Sequence, residues 1–153
     1  MKSRSSCIKE AQQIIVSLGL PRGQQNERSA LCLLALLNLS PGKSWAEAEA
    51  PLIGITPIMD WVREYFKKDY APNTRETVRR QTMHQFCDAG IALYNPDQLD
   101  RPVNSPKAVY QIEPLALALL RTFDTERWHE NLAEYLVRRE SLVARYANAR
   151  EQN

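Results

Sequence analysis

Residues 71–95 read Ala-Pro-Asn-Thr-Arg-Glu-Thr-Val-Arg-Arg-Gln-Thr-Met-His-Gln-Phe-Cys-Asp-Ala-Gly-Ile-Ala-Leu-Tyr-Asn, and the rest of the chain is organised around this stretch. Asn73 followed by Glu76 has the spacing of a capping box, which satisfies the open amides at the start of a helix. Gly90 is placed to end the helix in a left-handed turn. The stretch therefore predicts a helix from about Thr74 to about Asp88.

Only one narrow face of this predicted helix is apolar. At about 100° per residue that face carries Val78, Thr82, Phe86 and Ala89, which is enough to dock the helix on another element. The rest of its circumference carries Arg75, Thr77, Arg79, Arg80, Gln81 and His84. Arginine pairs with phosphates, arginine and glutamine read purine edges, and threonine contacts thymine methyl groups. The pattern is typical of a helix in a DNA major groove; a solvated helix face is the alternative.

Two strand-like segments, residues 91–94 and 107–112, follow this helix and are separated by a polar, proline-rich loop. A helix followed by a hairpin is the order of a winged helix. We therefore expect a mainly α fold: a winged helix-turn-helix with a two-stranded β-hairpin wing and extra flanking helices. Arg101 and Lys107 flank the expected wing, where a basic side chain can reach a minor groove or phosphates. An ordinary solvated loop is the alternative.

The sequence before this stretch predicts three helices, at about residues 7–18, 26–37 and 56–68, and a short one at about residues 45–50 that follows a capping box of Ser44 and Glu47. The second is almost wholly apolar and belongs at the centre of the core. The third starts at Thr56-Pro57, a capping hydroxyl followed by proline at the first helical position. A short connection at residues 69–72 joins this third helix to the predicted helix at residues 74–88, as in a helix-turn-helix. Many folds that do not bind DNA also contain such a pair of helices.

After the hairpin, the sequence predicts a short helix to about residue 121 and a long one from about 126 to 149. Glu134 and Arg138 are spaced as an ion pair on the long helix. Its apolar stripe consists of Leu132, Tyr135, Leu136, Leu142, Val143 and Tyr146. We expect this stripe to pack on the same molecule, a second copy or a further domain. The expected division is residues 1–125 as the DNA-binding domain and 126–153 as a helix leading onward.

Composition is that of a soluble globular protein: 153 residues, 44% hydrophobic, 25% charged and a net charge of +2. The net charge is too small to indicate nucleic acid, so the clustering of arginines carries more weight. Three scattered cysteines give no disulfide framework, and no apolar run approaches the ~18 residues of a membrane helix. These features predict a cytoplasmic protein without a membrane segment.

The sequence offers no catalytic centre. His84 and Cys87 are three residues apart, but zinc needs four ligands and His129 has no ligand beside it, so we expect no metal site. Pro96-Asp97 resembles the start of the PD-(D/E)xK nuclease pattern, yet no acid-x-lysine triplet on a strand follows. Phosphate-loop and serine-nucleophile motifs are also missing. We expect no catalytic residues and no cofactor in this chain.

Several long strings of residues resemble those of one family. They are Glu27-Arg-Ser-Ala-Leu, Pro51-Leu-Ile-Gly-Ile-Thr-Pro-Ile-Met-Asp-Trp, Tyr70-Ala-Pro-Asn-Thr-Arg-Glu-Thr-Val-Arg-Arg-Gln-Thr-Met-His-Gln-Phe and Arg101-Pro-Val-Asn-Ser-Pro-Lys-Ala-Val-Tyr-Gln-Ile. Over about residues 8–148 the chain resembles the amino-terminal helix-turn-helix region of the BsuBI/PstI type II restriction endonucleases. The resemblance implies a winged-helix domain that precedes a Mg²⁺-dependent nuclease domain cutting the palindrome CTGCAG. Here the chain stops where that nuclease domain would begin, so we expect DNA binding without cleavage.

The predicted partner is double-stranded DNA, and the predicted contact residues are Asn73, Thr74, Arg75, Thr77, Arg79, Arg80, Gln81, His84, Arg101 and Lys107. Two alternatives stay open. The domain could sense N6-methyladenine between aromatic side chains, for which Trp45, Trp61 and Tyr94 are available, although core packing is favoured for Trp61. It could instead be an interaction domain that dimerises the full enzyme through the 126–149 helix.

Overall fold

The computed structural model describes residues 3–103 and 105–151, with side chains described as far as residue 141. It is mostly helical, with a two-stranded antiparallel sheet. The elements before the basic stretch are α1 (Arg4–Ser17), α2 (Glu27–Leu36) and α3 (Ile55–Phe66), with 3-10 turns at Arg22–Gln24 and Trp45–Glu47. Those after it are β1 (Ala92–Tyr94), β2 (Tyr110–Ile112), α6 (Pro114–Leu120) and α7 (Trp128–Glu151).

Helix α2 lies at the centre, as its apolar sequence predicts. Every residue from Ser29 to Leu36 is buried, and the helix packs between α1 and α3. Its start is fixed by Asn26, whose side-chain oxygen accepts a hydrogen bond from the Ser29 amide at 2.8 Å. Burial of a leucine side chain is worth about 1.5 to 3 kcal/mol, so the buried leucines of this helix contribute strongly to core stability.

Residues 72–88 form one continuous helix of four segments, which we call the basic helix. A 3-10 turn (Pro72–Thr74) leads into α4 (Arg75–Val78), a π turn (Arg79–Met83) and α5 (His84–Asp88). Its C-terminal end is as predicted: Gly90 has φ +76°, and the Ile91 amide donates to the Phe86 carbonyl at 2.9 Å.

Two features of the basic helix differ from the sequence predictions. The Asn73–Glu76 capping box is wrong, because Pro72 starts the helix earlier and Ala71 is the N-terminal flanking residue without a side-chain cap. The π turn is the second difference. Its wider i to i+5 hydrogen bonding admits one extra residue to the buried face, so Met83 is fully buried beside Thr82.

Helix α3 also begins earlier than predicted. Gly54, rather than Thr56, is its N-terminal flanking residue, and its last residue is followed by Lys67 in the left-handed conformation at φ +59°. One face of α3 is apolar and buried, and it contains Ile58, Trp61, Val62 and Phe66. This face meets the start of the basic helix, which places the two helices as a helix-turn-helix pair.

The sheet pairs Ala92 with Ile112, Leu93 with Gln111 and Tyr94 with Tyr110. Its strands are shorter than predicted, so the loop between them, which we call the hairpin loop, runs from residue 95 to 109. Ile53 adds a bridge on the other side of Tyr110, with hydrogen bonds of 3.0 and 2.8 Å. The hairpin is therefore attached to the segment that leads into α3.

The long helix α7 starts at Trp128 and joins the core through its first half. Trp128 packs edge-to-face on Phe123 at 5.0 Å between ring centroids, and Tyr135 is buried. Arg139 donates a hydrogen bond to the Leu18 carbonyl, and the predicted Glu134–Arg138 ion pair is confirmed at 3.3 Å. Of the predicted stripe, Leu136 is 37% exposed rather than packed. Leu132 is half-buried against the core, whereas Leu142, Val143 and Tyr146 lie outside the described side chains.

Among the residues that the structure describes, no helix is both long and apolar enough to cross a membrane.

Candidate nucleic-acid interface

A groove of about 350 Å³ separates the basic helix from the hairpin loop. One wall is the basic helix, with Arg75, Glu76 and Arg79, and the other is the loop, with Lys107. The residues that open α3 close one end of it, and Tyr94 and Tyr110 also line the groove. Residues far apart in sequence thus place three cationic side chains and one carboxylate around one depression.

Gly54 allows the hairpin loop to approach α3 this closely. A Cβ atom at this position would lie 3.0 Å from the carbonyl oxygen of Ala108, which is tighter than normal packing permits. Glycine is commonly used where two backbones approach closely. A larger residue at this position would require the backbone at Ala108 to shift.

Arg79 and Glu76 form an ion pair on the groove wall. Arg79 Nε donates to Glu76 Oε2 at 3.1 Å, and its Nη2 donates to Oε1. These hydrogen bonds hold the pKa of Glu76 below its usual value, with smaller contributions from the charges of Arg80 and Arg75. Conversely, the carboxylate raises the pKa of Arg79. Glu76 is therefore ionised at neutral pH and fixes one edge of the guanidinium.

Arg75 is held by the neighbouring helix. Its Nε donates to the Thr56 hydroxyl at 3.1 Å, so its position is tied to the first turn of α3. The side chain remains exposed. It therefore presents a charge at the junction of the two helices.

The outer side of the basic helix carries the remaining polar residues of the prediction. Asn73, Arg80 and Gln81 are exposed, and Thr74 and Thr77 are half-buried. Within the described part of the chain, the side chains of Arg80 and Gln81 make no hydrogen bond. Arg80 thus differs from Arg79, whose charge is matched by an acid. Lys107, on the hairpin loop, is exposed as well.

His84 faces the sheet rather than outward. Its Nε2 lies 3.1 Å from the Tyr110 hydroxyl, and its ring centroid is 5.2 Å from that of Tyr94. Helical spacing alone groups His84 with Thr77 and Gln81, but the extra residue of the π turn rotates the following turn toward the sheet. The histidine thereby becomes part of an aromatic cluster under the groove, together with two tyrosines.

Arg101 folds back into the hairpin loop. It donates to Asn95 Oδ1 at 2.8 Å and to the Asp97 carboxylate at 3.1 and 2.9 Å, which leaves only 10% of its side chain exposed. Asn95 has φ +51° and also accepts the Val109 amide at 2.9 Å. The pKa of Asp97 is lowered by its hydrogen bonds from Arg101. These residues clasp the two ends of the loop together.

Two of the three aromatic residues considered for a base pocket lie in the core. Trp45 donates from its indole nitrogen to Glu10 at 3.0 Å, and Trp61 donates to Asn38 at 2.8 Å. Both rings are buried, which confirms the core packing expected for Trp61. Tyr94 is half-buried and lines the groove.

Sequence reasoning missed the roles of Glu76, Asn95 and Gly54. An acid three residues before an arginine on a helix is a known pairing distance and could have identified the Glu76–Arg79 pair. Asparagine tolerates the left-handed conformation and initiates turns, which is a weak signal for Asn95. No local signal identifies Gly54, because its neighbour Ala108 is distant in sequence. Among the described residues, no three His, Cys, Asp or Glu side chains are grouped as a metal site.

Comparison with known proteins identifies the family. The protein-family model described as the BsuBI/PstI restriction endonuclease HTH domain matches residues 5–144 of this chain. The chain is 64% identical over 148 residues to the type II restriction enzyme BsuBI of Bacillus subtilis, covering 97% of this chain and 47% of that protein. It is 38% identical over 142 residues to the type II restriction enzyme AplI of Arthrospira platensis, covering 93% and 44%.

A solved structure of the SdaI restriction endonuclease is similar in fold, with a TM-score of 0.83 and 35% identity. The similarity covers 93% of this chain and 44% of that one. The chain thus spans about half the length of the curated relatives it matches. The match extends over the helix-turn-helix pair, the hairpin and the start of α7. The chain belongs to the BsuBI/PstI restriction endonuclease HTH domain family.

Proposed function

We propose that this chain is the double-stranded DNA-binding part of a cytoplasmic type II restriction enzyme and acts as a winged helix. The basic helix enters the major groove, and the hairpin loop, as the wing, lies against the neighbouring backbone. One observation carries this proposal: the groove that places Arg75 of the helix opposite Lys107 of the loop. Cationic groups on both walls of a depression suit a phosphodiester strand that passes between helix and wing.

The predicted contact residues divide by exposure and pairing. We assign Arg75, Arg80 and Lys107 to phosphates, because their charges are exposed. We assign Gln81 and Thr77, on the outer face of the helix, to contacts with base edges. We assign Asn73 and Thr74, at the start of the helix, to phosphate oxygens, which the open backbone amides there favour. We assign His84 and Arg101 a supporting role, since both are engaged inside the protein.

The family resemblance suggests CTGCAG as the target. A palindrome suits two copies of the protein related by a two-fold axis, so we propose that the complete enzyme acts as a homodimer. We further propose that residues 1–125 carry the DNA-binding surface and that the helix from residue 126 leads into a Mg²⁺-dependent nuclease part. The relatives are about twice as long as this chain, which supports that division.

The second candidate function is the sensing of N6-methyladenine. It is favoured by Tyr94 and Tyr110, whose ring centroids lie 5.2 Å apart beside the groove. A methyl group in the major groove requires an apolar surface next to hydrogen-bonding side chains. The half-buried ring of Tyr94 could supply that surface, with the buried ring of Tyr110 packed behind it, without help from Trp45 or Trp61.

Fluorescence anisotropy with three labelled duplexes tests both candidates at stated salt. The duplexes carry CTGCAG, a scrambled sequence, and CTGCAG methylated at adenine N6. We expect binding to all three at low salt, with affinity falling steeply as salt rises and with unmethylated CTGCAG bound most tightly. Preference for the methylated duplex would favour the second candidate. Absence of binding to every duplex at low salt would overturn the proposal.

A further inference from the structure

The ion pair between Arg79 and Glu76 has a specific geometry. A guanidinium has five N–H donors in one plane, and Glu76 occupies the edge formed by Nε and Nη2. Within the described residues the Arg79 side chain makes no other hydrogen bond. One Nη1 hydrogen and the remaining Nη2 hydrogen form the terminal edge of the same plane, adjacent to the edge held by Glu76. That terminal edge can donate two parallel hydrogen bonds to a pair of acceptors.

The ion pair with Glu76 also determines whether Arg79 is better suited to bind a DNA phosphate or the edge of a base. A phosphate is attracted by net positive charge, but Arg79 and Glu76 together carry none, and the carboxylate repels an approaching phosphate. Arg80 and Lys107 form no ion pair among the described residues and suit phosphates better. The N–H donors of Arg79 keep a fixed orientation, because the guanidinium plane is held by Glu76 and the side chain is only 27% exposed. Fixed, directional donors suit the edge of a base.

We propose that Arg79 reads a guanine and that Glu76 is the positioning residue that orients it. This deepens the DNA-binding function proposed above and rests on it. In the major groove, guanine presents O6 and N7 as two adjacent acceptors, which match the terminal edge of an arginine. No other base presents two acceptors there on one purine edge. The Glu76–Arg79 pair therefore supplies discrimination, while Arg80 and Lys107 supply affinity.

Replacement of guanine by 7-deazaguanine, which lacks the N7 acceptor, tests the proposal directly. Duplexes containing CTGCAG carry the analogue at the first or at the second guanine of the site, in both strands, and binding is measured by anisotropy with the full chain. At one of the two positions we expect the unmodified protein to bind the analogue about 5- to 150-fold more weakly than guanine.

Variants then assign that loss to the proposed pair. Arg79→Met keeps an unbranched side chain but has no hydrogen-bond donor, so it should bind guanine and 7-deazaguanine duplexes alike. Arg80→Met is the matched control on the same helix and should retain the full preference for guanine. Glu76→Gln should bind the scrambled duplex more tightly, because a negative charge is lost, while its preference for guanine falls. Unfolding would not produce these opposite changes.

Three results would overturn the inference. They are indifference of the unmodified protein to the analogue at both guanines, retention of the preference by Arg79→Met, and an unchanged preference in Glu76→Gln. Equal binding to CTGCAG and scrambled duplexes would also overturn it, while leaving DNA binding intact. Failure of the proposed function gives a different result, since then no duplex is bound at low salt.

Discussion

Arg28 of α2 donates a hydrogen bond from Nε to the hydroxyl of Thr82 at 3.1 Å, across 54 residues of sequence. Thr82 is fully buried in the middle of the π turn. The bond therefore ties the central helix of the core to the irregular part of the basic helix. Because the π turn decides which side chains of that helix face the groove, this contact links core packing to the candidate DNA surface.

Thr82→Val should destabilise the fold, because it removes the hydrogen-bond partner of a partly buried guanidinium. Hydrogen bonds to charged groups contribute about 1.5 to 3 kcal/mol, so we expect a loss in that range in the free energy of unfolding by urea denaturation. Thr82→Ser is the control. It keeps the hydroxyl and loses one methyl group, about 0.8 kcal/mol. Equal losses in the two variants would show that the hydrogen bond contributes nothing.

Arg80→Ala and Lys107→Ala should each weaken binding to every duplex by a similar factor. Each phosphate contact contributes about 0.9 to the slope of log affinity against log salt, so each variant should reduce the slope by roughly that amount. Arg127→Ala removes an equal charge at the start of α7 and should leave the slope unchanged. A change in preference between sequences, without a change in slope, would contradict the phosphate assignment.

The stability contributed by the Asp97–Arg101 ion pair should fall at acidic pH. The folded-state pKa of Asp97 lies below its ordinary value of 3.8 because Arg101 donates to the carboxylate. Its stabilising contribution is therefore fully present well above pH 3.8, shrinks below that value and is lost as pH falls through the folded pKa. The melting temperatures of the parent and Asp97→Asn should differ at pH 6 and converge toward pH 2. A difference that is constant with pH would exclude this carboxylate as the cause.

The first half of α7 should be an integral part of the fold. Trp128→Ala removes a buried ring that packs on Phe123, and loss of a buried tryptophan costs about 3 to 5 kcal/mol. Val137 lies on the same helix but is 81% exposed, so Val137→Ala should change stability by less than about 0.5 kcal/mol. Thermal and urea unfolding of both variants measure this. Similar stability of the two would mean that α7 packs only weakly on the domain.

The purified chain should not cut DNA. A metal-dependent nuclease holds Mg²⁺ with clustered carboxylates beside a lysine, and Asp97, the acid that resembles the start of such a site, is paired with Arg101 instead. Incubation of a CTGCAG plasmid with Mg²⁺ or Mn²⁺ should leave it supercoiled on a gel. Cleavage that co-purifies with the chain and disappears in Asp97→Asn would refute this expectation.

The sequence by itself determined the order and type of the main elements. The almost wholly apolar composition of α2 placed that helix in the core, and Gly90 marked the end of the basic helix. Such signals are reliable because they depend on hydrogen bonds and periodicity within a few residues. Helix followed by hairpin, together with long matching strings, was also sufficient to place the chain in its family.

Only the tertiary structure decided which polar side chains belong to the groove. The π turn buries Met83 and turns His84 toward the sheet, and it is braced by Arg28 from another helix. Arg101, equivalent to Lys107 by sequence criteria, turns inward because Asn95 and Asp97 offer acceptors within the loop. Gly54 permits the close approach of the hairpin loop to the start of α3. The contacts of Arg28 with Thr82 and of Gly54 with Ala108 join residues that are distant in sequence, so local sequence patterns do not predict them.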